Sequence, residues 1–284
     1  MTQPIVVKIS GTPIEHVEAQ TELWAALVSL AKQSEHGLIL VHGGGKIVDQ
    51  RLAQMGLASQ RRQGLRVTPI EHLPCVVGAL AGEVNLALVG ALNIAKGKNP
   101  RAIGLTLADA NMTQVEIDTP DGIDIGRVGR VTHTDPALLL SLTQAGFVPV
   151  VSSIGLGADG IALNVNADDA ALAIALAVRA SLLVYLTDQP GVLDQHKQPI
   201  ASLTMQDVED NIASGVITDG MIPKARACAQ AADTLNTHVV VTSWKTPKHL
   251  ASPDAIRTSG TAFIPDTSAR TEAGIALTHG KDIQ

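Results

Sequence analysis

Aromatic side chains are almost missing: two Trp, one Tyr and two Phe, or 2% of 284 residues. Single-stranded nucleic acid is usually gripped by stacking its bases on such rings, so that class of partner is disfavoured. Charged residues are scarce too, at 17%. The net charge of -6 disfavours a nucleic-acid or anionic-membrane surface, though not a local basic pocket for a small anion. Only two cysteines occur, Cys75 and Cys228, in neither CxxC nor metal-type spacing. They are expected to be reduced, buried thiols of a cytoplasmic protein, and no metal site is expected. The start, Met1-Thr2-Gln3-Pro4, lacks a basic segment followed by a long apolar one, so no signal peptide is read there. Two nucleotide motifs are absent as well. Neither G-x-G-x-x-G nor G-x-x-x-x-G-K-[ST] occurs, which argues against a dehydrogenase and a P-loop protein.

What the chain has is aliphatic bulk. Hydrophobic residues make up 45%, so a sizeable core of Leu, Val, Ile and Ala can be built. The longest apolar run, Leu73 to Ala95, could span a bilayer by length. Pro74, Glu83, Asn85 and Asn93 interrupt it, and a soluble helix buried on several sides, perched at a subunit interface, is expected instead. No membrane partner is expected.

Periodicity predicts alternating strands and helices. Ile5 to Ile9 reads as a buried strand, ended by Ser10-Gly11-Thr12-Pro13. A helix follows from about Glu15 to Gln33, then a strand from Leu38, a turn at His42-Gly43-Gly44-Gly45, and a helix to about Met55. Arg61 to Pro69 reads as a basic loop or short hairpin, and Glu71 to Lys96 as the long apolar helix. Met112 to Thr134 alternates, with a turn at Asp121-Gly122, and predicts a β excursion. Further strands are expected at 102–107, 147–152, 182–186, 238–242 and 260–264. Helices are expected at 136–145, from Asp168 to about Ala180, at 204–214 with Thr204 as N-cap, and around Lys224. Gly155 to Gly160 reads as a turn. This βαβ order predicts an α/β protein.

Several positions carry chemistry. Lys8 interrupts an apolar strand; it either faces a negatively charged ligand or reaches for solvent. The Gly43–Gly45 turn leaves backbone N–H groups open before a helix start, which can hold an anion or be a bare turn. His42 reads as structural. Arg66, in Gly-Leu-Arg-Val-Thr-Pro, can grip a carboxylate in two-point fashion. Arg61 and Arg62 read as solvent-facing. Asn164, Asn166 and Asp168 alternate, so an extended segment would aim all three at one spot. Asp188 and Gly191 end a buried strand, where open α/β sheets place ligands. Lys224 sits in the first turns of a helix.

Together these segments resemble the amino acid kinase family. The matching stretches are Val-Val-Lys8-Ile-Ser-Gly11, Val-His-Gly-Gly-Gly45, Gly-Leu-Arg66-Val-Thr-Pro, Asn164-Val-Asn166-Ala-Asp168, Leu-Thr-Asp188-Gln-Pro-Gly-Val-Leu and Thr-Asp-Gly-Met-Ile-Pro-Lys224. A Gly-Thr element follows at Gly260. Each stretch is weak alone, whereas the ordered set is specific.

The resemblance implies a three-layer α/β/α sandwich with a mostly parallel, open central sheet. It implies an N-terminal lobe for the amino-acid substrate and dimerisation (1–180), a C-terminal lobe for ATP (181–264) and a polar tail (265–284). Members acting on N-acetyl-L-glutamate are the nearest in pattern; they move the γ-phosphoryl group of ATP to its side-chain carboxylate, in arginine biosynthesis. By resemblance Lys8 and Lys224 stabilise the phosphoryl group in transfer and Asp168 orients them. Gly44, Gly45, Arg66, Asn164 and Asn166 bind the acceptor. Ser10, Gly11, Asp188, Gly191, Val192, Leu193, Val216, Ile217 and Thr218 lie by the nucleotide, which carries Mg²⁺. Ser10 stands where these relatives usually have glycine. No added helix precedes Lys8, and a homodimer without arginine feedback is expected. The rival readings are a kinase for an aminoadipate derivative, glutamate, aspartate or carbamate, and a catalytically silent sensor of amino acid or nucleotide.

Overall fold

A computed structural model describes residues 3–95, 101–218 and 220–266. Strand β1 (Ile5–Ile9) is buried along its length, and its side chains alternate between two faces. Ile5, Val7 and Ile9 join one apolar cluster with the helices Thr21–Gln33 and Gly45–Gln54. Val6 joins a second cluster with the helices Ala167–Val178 and Met221–Leu235. One sheet with a core on each face is the expected α/β/α sandwich.

Numbered in chain order, the main sheet runs β12 (Ser202–Leu203), β14 (Thr261–Phe263), β13 (Val239–Ser243), β11 (Leu182–Thr187), β1, β2 (Leu38–His42), β8 (Val148–Ser152) and β5 (Ala102–Thr106). Every neighbouring pair is parallel except β13 with β14. From β1 the chain goes to β2 on one side and returns much later as β11 on the other. That reversal is a switch point, and ligands of open α/β sheets sit beyond the carboxyl ends of the strands there. Ser10, Gly43 and Asp188 follow those ends directly.

A second sheet covers the cleft from the side. It runs β6 (Thr113–Ile117), β7 (Val128–Thr134), β10 (Ala162–Val165) and β9 (Ile154–Leu156). β6 and β7 are the predicted β excursion. Gly155, read as the start of a turn, lies within β9, which pairs antiparallel with β10. The basic segment resolves as a hairpin, β3 (Gln60–Arg62) with β4 (Leu65–Val67), in which Arg61 pairs with Arg66.

Two helices differ from their predicted form. The one expected from Glu15 is broken: Thr12–Glu15 is a single turn, Val17–Ala19 a 3₁₀ turn, and the long helix begins at Thr21. His16 and Gln20 leave helical space, and the Trp24 indole N–H donates to the Val17 carbonyl at 2.6 Å, tying the broken segment over the core. The long apolar helix runs from Ile70 to Ile94, with half of its most apolar window buried; Lys96 lies outside the described residues. Its middle, Gly78–Val84, is a π-helix. The wide turn resets the helical phase and aims Asn85 at the sheet. At 204, the N-cap holds: the Thr204 hydroxyl and Asp207 form a capping box. The tail from 267 onwards and Asp219 lie outside the described residues.

Candidate active site

Lys8 shares the inner face of β1 with Val6, and only 7% of it is exposed. A buried ammonium needs partners. It has two: its Nζ lies 2.7 Å from Asp168 Oδ1 and donates to Ser10 Oγ at 2.8 Å. Asp168 lies in the first turn of the helix Ala167–Val178. The Asn166 side chain caps that helix by accepting from the Asp168 N–H at 2.8 Å. The extended segment therefore ends at Val165. Asn164 and Asn166 line the same cleft as predicted, but Asp168 arrives on a helix, not on a strand.

Burial pushes the Asp168 carboxyl up. The charges of Lys8 and Lys224 and the Lys8 hydrogen bond outweigh it and hold the group below the usual carboxylate range. Lys224 thus acts on Asp168 from the helix Met221–Leu235, which packs against the Asp168 helix. Beneath them lies Tyr185, which pairs with Lys8 in register and whose hydroxyl donates to the Asp168 carbonyl at 3.4 Å. Cys228, fully buried one turn beyond Lys224, is pushed up to about 12 by burial and is an inert thiol.

The glycine turn is shaped by what presses on it. A Cβ on Gly44 would stand 2.8 Å from Leu80 Cδ2 and 3.2 Å from Val84 Cγ2, both in the π-helical segment. A Cβ on Gly45 would stand 3.1 Å from Arg61 Nη2. His42 anchors the turn from below and is fully buried. Asn85 Nδ2 donates to Val150 O at 2.8 Å and lies 3.0 Å from His42 Nε2, so Nε2 accepts. The ring proton is then on Nδ1, which donates to the Gly43 carbonyl at 2.9 Å. Burial lowers the His42 pKa to about 4, so the ring is neutral. This is the structural role read for it.

Arg66 is 6% exposed, and its guanidinium is held by three acceptors. Nη1 donates to Asp49 Oδ1 and Ser59 Oγ, and Nη2 to the Gly45 carbonyl at 2.7 Å. The next turn of backbone links to the second sheet, where Asn164 Nδ2 donates to Thr68 Oγ1 at 3.1 Å. Lys8, Ser10, Gly43 to Gly45, Arg66, Asn164 and Asn166 line one cavity of about 170 Å³. Arg61, solvent-exposed as expected, also lines the edge of this cavity. Cross-strand partners in an antiparallel hairpin share a face, so Arg61 follows Arg66. Asp49, Ser59 and Ser153 were not singled out by sequence. Only the hairpin register and the helical spacing from Gly45 to Asp49 point to the first two.

The remaining predicted residues lie outside this cavity. Gly11 has φ of +80°, and a Cβ there would stand 3.2 Å from Asp188 Oδ2. Asp188 accepts from the Trp244 indole N–H at 2.8 Å. At Gly191 a Cβ would meet Thr261 Oγ1 at 2.6 Å, and the Val192 N–H donates to that hydroxyl at 2.9 Å. Leu193 pairs with Pro199. The Val216 and Ile217 N–H groups both donate to the Asn211 carbonyl, and Thr218 is exposed before the Lys224 helix. Among the described residues no group of three His, Cys, Asp or Glu side chains is placed to hold a metal ion.

Comparison with known proteins places this geometry. A family model described as the amino acid kinase family matches residues 3–243. Acetylglutamate kinase of Vibrio vulnificus (strain CMCP6) is 41% identical over 269 residues, covering 93% of this chain and all of that one. Acetylglutamate kinase of Aliivibrio fischeri (strain MJ11) is 40% identical over 263 residues, covering 93% and 98%. A solved structure of carbamate kinase from Giardia superposes with a TM-score of 0.68 over 93% of this chain and 99% of that one. At 14% identity it speaks for the fold alone.

Proposed function

The chain belongs to the amino acid kinase family, and we propose that it transfers the γ-phosphoryl group of ATP to the side-chain carboxylate of N-acetyl-L-glutamate, giving an acyl phosphate in amino-acid (arginine) biosynthesis. The observation that carries the reading is one cavity at the switch point of the sheet. It gathers an ammonium, a glycine turn, an arginine and two amides, in a chain 41% identical to an acetylglutamate kinase.

The chemistry asks little of a base. A γ-carboxylate has an unperturbed pKa of about 4.3 and is already a nucleophile at neutral pH. Catalysis is then positioning and charge stabilisation. Lys8 and Lys224 neutralise charge on the phosphoryl oxygens, and Asp168 holds both lysines to the task. Arg66 takes the acceptor's α-carboxylate; Gly44, Gly45, Asn164 and Asn166 fix the rest of it. Asp188, Gly191 to Leu193 and Val216 to Thr218 hold ATP from the C-terminal lobe (181–264), and Ser10 and Gly11 meet its phosphates from the end of β1 in the acceptor lobe (1–180). Mg²⁺, carried by ATP, would supply screening of the phosphate charge. Asp188 and the exposed Thr218 offer oxygen atoms on the nucleotide side.

The protein works in the cytoplasm as a homodimer in this reading. Supporting the dimer, the long helix exposes Ile70, Leu86 and Ile94, with open space above Gly78, Gly82 and Gly90. Sedimentation at micromolar concentration gives one dimeric species; a monomer rejects that part. A hydroxamate assay with ATP, Mg²⁺ and a panel of acidic amino acids tests the activity. Acyl phosphate forms with N-acetyl-L-glutamate and poorly with free glutamate, aspartate or carbamate. No product with N-acetyl-L-glutamate overturns the proposal.

A further inference from the structure

Arg61 and Arg66 stand directly opposite each other on β3 and β4, and both reach the cavity. Like charges in that register repel, and the Arg66 guanidinium is almost wholly removed from water. Something must neutralise them. Asp49 does so from the helix Gly45–Gln54, one turn beyond the glycine turn: Oδ1 accepts from Arg66 Nη1, and Oδ2 accepts from Arg61 Nη2 at 3.2 Å.

We propose that Asp49 is a positioning residue for the acceptor pocket: its carboxylate clamps Arg66 and Arg61 together and sets the guanidinium edge that receives the acceptor's carboxylate. This rests on the acceptor reading of the cavity. Of the five N–H groups of an arginine, Arg66 commits three to Asp49, Ser59 and Gly45 O. The edge left over faces the cleft in one orientation only while Asp49 holds the opposite edge. The same clamp couples a three-residue hairpin strand to the glycine turn, because Arg66 also bonds the Gly45 carbonyl at 2.7 Å. Burial pushes the Asp49 carboxyl up, but Arg66, Ser59 and Arg61 outweigh it and bring it to about 2. The clamp is therefore charged at any pH at which the enzyme would be assayed.

A second arrangement of the same atoms makes the opposite prediction. If Asp49 merely occupied Arg66 until an acceptor carboxylate displaced it, losing its charge would free Arg66 and tighten acceptor binding. Steady-state kinetics of Asp49→Asn and Asp49→Glu decide, with melting curves run alongside. Asp49→Asn raises the KM for N-acetyl-L-glutamate roughly tenfold, the scale of one charge-assisted hydrogen bond. The KM for ATP and kcat at saturating acceptor stay within about twofold. Asp49→Glu, which keeps the charge, recovers a large part of the loss. Added to Arg66→Ala, Asp49→Asn costs nothing more, because it acts through Arg66. A lowered or unchanged acceptor KM in Asp49→Asn, or full additivity with Arg66→Ala, overturns the proposal. A parallel fall in kcat and rise in both KM values together with a lowered melting point in both single variants overturns it too, as a general structural role. An inactive wild-type protein would instead reject the acceptor reading itself, which separates the two failures.

Discussion

Lys8 Nζ lies 2.7 Å from Asp168 Oδ1, and the two come from different layers: Lys8 from the central strand β1, Asp168 from the helix that covers it. Sheet and helix are thus pinned together by the two groups that flank the cleft. An ammonium already paired inside the protein needs no reorganisation when phosphoryl charge reaches it. Replacing Lys8 by Ala, or Lys224 by Ala, lowers kcat by roughly 10²- to 10³-fold, the usual cost of one preorganised charge-stabilising donor. Both KM values change far less. Hydroxamate kinetics check this, and near-normal turnover in either variant removes that lysine from the mechanism.

Asp168→Asn keeps the shape of the helix start and the Asn166 cap, but it takes away the charge that holds Lys8 and Lys224. The buried Lys8 ammonium is then left with Ser10 as its hydrogen-bond partner. The variant loses kcat by roughly tenfold or more, and its melting point falls as well, because an uncompensated buried charge is costly. A variant that keeps its kcat would show that the lysines are oriented without Asp168.

Arg66→Ala separates binding from chemistry. Arg66 touches the glycine turn and Asp49 on the acceptor side, and its contacts include none of the predicted nucleotide residues. The KM for N-acetyl-L-glutamate rises by roughly ten- to a hundredfold, as expected for loss of a charged hydrogen-bonding group, and the KM for ATP barely moves. A selective loss of ATP affinity would reverse the assignment of the two sides of the cleft.

Much of this site was legible in the chain because its residues sit at ends of strands with strong apolar patterns. Lys8 stands out against Ile5, Val6, Val7 and Ile9, and the glycine turn against Leu38 to Val41. The same patterns predicted an α/β protein, and the family resemblance added the sandwich. Four features were hidden. The π-helical turn at Gly78–Val84 has no sequence period of its own, so the aim of Asn85 at His42 could not be read. Arg61 reads as one more surface cation until the register of a three-residue strand is known. Asp168 belongs to an alternating series, yet the Asn166 cap starts a helix one residue earlier, and capping beats alternation there. The break at His16 also escaped, because local helix pattern ran straight through it.

Acid stability should carry the signature of His42. In the folded protein its pKa is lowered by burial to about 4, against 6.5 when unfolded. The unfolded chain therefore binds the proton more readily between those values, and stability falls as pH drops through that window. Above pH 6.5 the full contribution is present. The loss between pH 7 and 4 is on the order of 3 kcal/mol for this one ring. Asp49, lowered to about 2, contributes its own loss only below the ordinary carboxylate range, so the two windows are distinct. Urea melts at pH 7.5, 6, 5 and 4.5 read the slope. His42→Asn starts less stable, since Asn85 loses its acceptor, but its stability falls less steeply between pH 6.5 and 4.5. An equal slope in both proteins would mean that His42 takes up its proton in the folded state at the ordinary pKa.

Trp244 offers a test from the nucleotide side. Its indole N–H holds Asp188 at 2.8 Å, and its backbone N–H donates to Thr187 O at 3.3 Å, so it fixes the turn after β11 against the turn after β13. Asp188 in turn crowds Gly11, whose positive φ leaves no room for a Cβ without pressing that carboxylate. Trp244→Phe keeps the ring packed on the core but drops the donor. Asp188 then swings free, the KM for ATP rises several-fold on the scale of one hydrogen bond to a charged group, and the KM for the acceptor is unchanged. The second tryptophan, Trp24, is buried in the core with its own acceptor, the Val17 carbonyl. A change in tryptophan fluorescence on adding ADP therefore comes from Trp244 and vanishes in Trp244→Phe. If acceptor affinity fell instead, or if the fluorescence response survived the substitution, Asp188 and its turn would not belong to the nucleotide side of the cleft.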